Sequence, residues 1–156
     1  MTSSILRSAA GALALAASLA AGAAQADPDC HGKPSPHRLF VVIENIRNNT
    51  GLMVSSLYTD DGRFLKKGGS LSVWRTPAHP PTQTMCVYLP KVGNFAVGVY
   101  QDVNSNMKID HNLLGPTEPW GFTNNPHALF ALPTFGQVKF ASRPGDNYVH
   151  VRLNHP

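Results

Sequence analysis

Oxygen-bearing side chains recur at alternate positions in the stretch QDVNSNMKIDHNLLG: Asp102, Asn104 and Asn106, with Asp110 following. Together with the backbone carbonyl of Lys108, they occupy positions one, three, five, nine and seven of a calcium-loop register. A hard cation needs several oxygens, some of them charged, converging from a tight turn, and this spacing supplies them. Two positions depart from a helix–loop–helix calcium site. Met107 stands where the sharp turn calls for glycine, and Leu113 stands where a bidentate glutamate completes the shell. The nearest other carboxylate is Glu118, beyond Gly115-Pro116. Asn and Asp also bond to their own backbone in turns, so the same spacing describes a loop that caps itself without metal. Both readings stand on these residues: no cofactor is expected, and calcium is the candidate if one binds.

Other chemistry is harder to assemble. The histidines, at 31, 37, 79, 111, 127, 150 and 155, form no H-E-x-x-H or H-x-H pair. His111 beside Asp110 makes an acid–base pair only if the loop turns the two side chains together. There is no G-x-S-x-G, and two oxidised cysteines leave no thiol, so no nucleophile–base–orienter set emerges. A small secreted enzyme using loop polar residues is the alternative from another class; the expected role is non-catalytic. Candidate loop or ligand residues are His111, Asn112, Glu118, Trp120, Asn124 and Asn125, the last two with Thr123 expected to lock the loop against the sheet. Tyr88, Trp74, Tyr100 and Trp120 form an expected exposed aromatic set; the two tryptophans either make an edge platform for a peptide or glycan or, as such residues more often do, cover the end of the sandwich core.

The elements that must position these residues read as strands. In LFVVIEN, residues 39–45, Leu39, Val41 and Ile43 share one face. IRNNTG reads as a hairpin connection to LMVSSLY, residues 52–58, with Gly51 or an Asn at positive φ. TDDG is a turn, and FLKKGGSLSVWRTP is an edge ribbon or a surface excursion. TQTMCVYLP, residues 82–90, puts Met85, Val87 and Leu89 on one face and Cys86 and Tyr88 on the other, an outer face that the N-terminal segment is expected to cross, pinned there by Cys30. In FAVGVY, residues 95–100, Gly98 in mid-strand marks a close approach or a bulge. Helix is limited to a turn or two near PHALF, 126–130. The last strand, YVHVRLN, faces inward through Val149, Val151 and Leu153. Short alternating strands separated by turns predict an all-β fold, an antiparallel β-sandwich with one long loop.

Residues 1–26 read as a secretory signal, with Arg7, an Ala/Leu run and an Ala24-Gln25-Ala26 exit. The expected organisation is a signal at 1–26, a disulfide-tethered segment at 27–38 and a single sandwich domain at 39–156. The protein is expected in the periplasm or outside the cell after cleavage near Ala26, with no transmembrane span in the mature chain. Cys30 and Cys86 are its only cysteines, and in an oxidising compartment they are expected to pair. Of 13 Lys and Arg, the signal removes Arg7, leaving a small scattered excess over 9 Asp and Glu. Nucleic acid is therefore not expected as a partner; an envelope protein, a peptide or a glycan is.

From Asn94 onward, NFAVGVYQDVNSNMKIDHNLLGPTEPWGFTNN resembles the signature of a widespread, functionally uncharacterised domain of secreted bacterial proteins. Its members read D-x-N-x-N-G-K-x-D, then N-x-L-G-x-P, then G-F-[ST]-N-N. The corresponding residues are Asp102, Asn104, Asn106, Lys108 and Asp110; then Asn112, Leu114, Gly115 and Pro116; then Gly121, Phe122, Thr123, Asn124 and Asn125. The resemblance runs from about Leu39 to Leu153. It implies a sandwich of prealbumin-like or Greek-key type and a non-catalytic envelope module, binding or structural, in one version calcium-stabilised. Met107 departs from the pattern's glycine, and the Cys30 extension with Cys86 resembles only a subset.

Overall fold

Among the residues that the computed structural model describes, 29–127 and 132–156, the chain forms eleven short strands and one helical turn. One sheet runs in the spatial order β1 (Cys30–His31), β5 (Thr82–Tyr88), β2 (Arg38–Glu44), β11 (Asp146–Arg152). The other runs β10 (Phe140–Ala141), β6 (Asn94–Asp102), β3 (Leu52–Tyr58), β4 (Ser72–Pro77), with β9 (Trp120–Phe122) also pairing β6. A small ribbon of β7 (His111–Asn112) and β8 (Gly115–Pro116) stands apart, and α1 (Phe135–Val138) precedes β10.

The period-two pattern explains the layering. Leu39, Val41 and Ile43 of β2, Met85 and Val87 of β5, and Val151 of β11 turn one face inward. Met53 and Leu57 of β3, Trp74 of β4, and Phe95, Val97 and Val99 of β6 meet them, so the sheets share one core and form a sandwich. Removing one such side chain, as in Leu39→Ala, costs about 2–5 kcal/mol. A second apolar cluster covers the outer face of the β6 sheet: Tyr58, Phe64, Ala96, Phe122, Phe135 and Val138, with Trp120 against it. Gly98 permits this, since a Cβ there would stand 3.0 Å from the Phe122 ring.

Three sequence expectations need correction. The segment after β2 is not a hairpin: β2 and β3 lie in different sheets, so it crosses from one layer to the other, with Asn45 at φ 65 and Gly51 at φ 71. The inner faces of the two strands are buried against each other, which a hairpin within one sheet would not allow. Nor is the sandwich wholly antiparallel, for β11 pairs β2 in parallel and β1 pairs β5 in parallel. Rather than crossing the outer face, the N-terminal segment extends the sheet edge. There Cys30 and Cys86 are register partners and form a disulfide, with Tyr88 and Phe40 packed beside it. The expected helical turn at 126–130 lies partly in 128–131, outside the described residues; helix occurs at α1. The expected signal at 1–26 also lies outside them. The FLKKGGSLSVWRTP stretch resolves into turns followed by edge strand β4.

Candidate functional site

The loop that follows β6 is built around two carboxylates. Asp102 is fully buried at the strand's end, where its oxygens accept the Asn106 N–H at 3.0 Å and the Met107 N–H at 2.8 Å. The side-chain oxygens of Asn104 and Asn106 accept the N–H groups of Asn106 and Lys108, each at 3.1 Å. These bonds hold Ser105 and Met107 at left-handed φ values of 57 and 68. Met107 thus takes a left-handed backbone that favours glycine, with its side chain in solvent.

Glu118 closes the loop from the far side. The β7–β8 ribbon turns the chain back, and Thr117 N–H donates to Asp110 C=O at 2.8 Å. Glu118, 5% exposed, then accepts the Val103 N–H at 2.8 Å and the Asp110 N–H at 3.1 Å. Its two oxygens tie the two arms together. Asp110 itself points elsewhere, accepting the side-chain amides of Asn104 at 2.8 Å and Asn106 at 2.9 Å, with Lys108 Nζ at 3.5 Å. The Asn104 amide, then the other two groups, holds this carboxyl below its usual range.

The structure therefore brings Asn104, Asn106 and Asp110 together, with Asp102 and Glu118 beneath them holding backbone. Among the described residues, no three or more His, Cys, Asp or Glu are grouped to hold a metal. Asn112 accepts the Leu114 N–H at 2.8 Å and caps the ribbon's turn. Further on, Thr123 and Asn124 tie α1 and its exit to β6: Thr123 exchanges bonds with Val97 and donates to Val138 C=O, while Asn124 Nδ2 donates to Gln137 and Lys139 carbonyls. Asn125 reaches across to β11. These three residues lock the sandwich margin rather than the long loop.

The loop roofs a groove on the outer face of the β6 sheet. Tyr58, Tyr100, Trp120 and Phe122 form its floor and one side; Leu65, Ile109, His111, Pro116 and Leu132 complete the walls around about 270 Å³. Trp120 meets Phe122 edge-on at 5.7 Å between ring centres. Burial pushes the Tyr58 and Tyr100 hydroxyls above the ordinary phenol value, against the Ser56 bond to the first and the Arg75 guanidinium beside the second. Both remain protonated donors near neutral pH.

Trp74 and Trp120 do not share a platform, and for Trp74 the alternative of core cover holds. Trp74 is a core residue on the opposite face of the sheet, and Tyr88 is buried against the disulfide. Only Tyr100 and Trp120 of that set reach the groove. Tyr58, Phe122 and Ile109 were not identified as site residues from sequence, although Gly98 signalled that something large must lie over β6.

Residues 41–150 match the model of a family described as an uncharacterized protein conserved in bacteria, DUF2141. No curated protein and no solved structure matches the chain.

Proposed function

The chain belongs to the DUF2141 family, and from its site we propose that it is a non-catalytic module of the cell envelope. It acts after export and receives an apolar side chain of a partner protein or peptide in the groove between the 102–118 loop and the aromatic face of the β6 sheet. One observation carries this reading. The loop's buried carboxylates, Asp102 and Glu118, have both oxygens bonded to backbone N–H groups, so they position the roof of an apolar groove instead of facing a substrate. Aliphatic walls over an aromatic floor suit an apolar side chain better than a sugar, whose hydroxyls would ask for more polar partners. The test is titration with short peptides carrying a central Leu, Phe or Ser, and with cell-wall glycan fragments, against the mature protein and its Trp120→Ala variant. Binding of the Leu or Phe peptide that falls about tenfold or more in the variant supports the proposal. Binding only by glycan, or binding untouched by the substitution, refutes it.

A second reading, a calcium-stabilised loop, is favoured by the left-handed backbone of Met107 and by the gathered side chains of Asn104, Asn106 and Asp110. The ligands would be Asp102, Asn104, Asn106, the Lys108 carbonyl and Asp110. Thermal melts in millimolar calcium and in chelator decide it: equal midpoints reject a specific site.

A further inference from the structure

Strand β11 is a sheet edge that is only half covered. β2 engages its odd-numbered side: Arg38 N–H donates to Gly145 C=O at 3.1 Å, and Leu153 N–H donates to Glu44 C=O at 3.0 Å. In a parallel ladder the alternate residues present their backbone groups outward, here the even-numbered ones. Toward the C-terminus these are taken. Asn154 exchanges bonds with Trp120 at 2.7 and 3.0 Å. Arg152 N–H donates to Asn125 Oδ1 at 2.7 Å, and Asn125 Nδ2 donates to His150 C=O at 3.3 Å. The Asn125 amide thus imitates one residue of a neighbouring strand. Beyond it, the N–H and C=O of Tyr148 and the N–H of His150 have no partner among the described residues. They open on a groove of about 570 Å³, whose far wall is Phe140, Ala141 and Arg143.

We propose that this groove takes an extended acidic segment of a partner protein, added as a strand to the edge of β11 at Tyr148. Unpaired strand groups continuing a row already begun by Asn125 call for a peptide backbone. The charge follows from the lining. Asp146 is bridged by Arg38 at 2.7 Å, and His150 faces Glu44 at 2.8 Å. Arg143 is exposed, and its guanidinium has no ionic partner among the described residues. Its backbone is fixed by Asn147, which accepts the Arg143 N–H at 2.7 Å and donates to the Arg143 C=O at 2.9 Å. A carboxylate two or three residues along the added strand would meet it. A second copy of this chain fits less well, because its own edge is blocked by Asn125 beyond His150.

The test uses short capped peptides of alternating Val and Thr with a central Glu or Lys, titrated into the mature protein carrying ¹⁵N-labelled amides. The Glu peptide should shift the Tyr148 and His150 amide signals and bind about fivefold tighter than the Lys peptide. Arg143→Glu, an exposed substitution that leaves the fold intact, should reverse that order. N-methylation of the central residue of the Glu peptide should abolish binding, which a purely ionic contact would survive. The proposal is overturned if no peptide moves the Tyr148 and His150 signals, if Arg143→Glu leaves the order unchanged, or if the shifts appear instead at Tyr58, Tyr100 and Trp120.

Discussion

Replacing Glu118 by Gln tests whether the 102–118 loop is held by its carboxylates. The wild-type side chain accepts two backbone N–H groups, from Val103 and Asp110, while 5% exposed. Glutamine keeps one oxygen; its amide nitrogen is a donor and cannot accept from the second N–H. One charge-assisted bond is lost outright, at about 1.5–3 kcal/mol, and the other becomes neutral, at a further loss of about 1 kcal/mol. The loop lies at the surface, so water can reach a released N–H and recover part of this. The expected net loss is about 2 kcal/mol, a sizeable share of the roughly 5–15 kcal/mol that holds a domain of this kind. Urea unfolding should show a lower midpoint at unchanged slope. Amide exchange should be faster at Val103 and Asp110 than in wild type, with little change at Val97 or Val41. A variant within about 0.5 kcal/mol of wild type, with unchanged exchange at those two amides, would refute the reasoning.

Gly121→Ala should destabilise by about 1–3 kcal/mol in the same unfolding assay, because a Cβ would stand 2.6 Å from the Arg152 carbonyl and 2.8 Å from a Val151 methyl. Reducing Cys30–Cys86, whose sequence separation is 56, should lower the unfolding free energy by up to about 4 kcal/mol, read from urea curves with and without reductant. Asp146→Asn should destabilise near neutral pH, with the difference from wild type shrinking as pH falls. The Arg38 bond depresses the folded carboxyl, so its contribution is present above the unfolded value near 3.8 and is lost as pH drops through the lower folded value. A gap between the two proteins that stays constant from pH 7 to about pH 2 would contradict this.

The strands were legible because a side chain's face is fixed by period two. Leu39, Val41 and Ile43, and Phe95, Val97 and Val99, occupy the inner faces that alternation assigned them. Partner choice was not legible, since the same alternation serves a hairpin or a crossing between sheets. The turn residues after Glu44 allow either, and only burial against the opposite layer decides. Helix α1 carried a short signal, Thr134 followed by Gln137, whose side chain accepts the Thr134 N–H at 2.8 Å. Four helical residues leave no periodicity to find. In the site, the spacing of Asp102, Asn104 and Asn106 announced the turn. The convergence of Glu118 on it depends on the β7–β8 ribbon and could not be read from separation in sequence. Trp74 and Trp120 look equivalent in the chain, yet lie on opposite faces of one sheet because one sits in β4 and the other in β9.

The most direct test of the groove is an NMR titration that follows the two indole N–H signals while Leu- or Phe-bearing peptides are added. Trp120 lines the groove and Trp74 is sealed in the core. The account predicts a saturable shift of the Trp120 signal with the Trp74 signal unmoved. A Trp120 signal that stays fixed at saturating peptide, or one that moves only with glycan fragments, would contradict it.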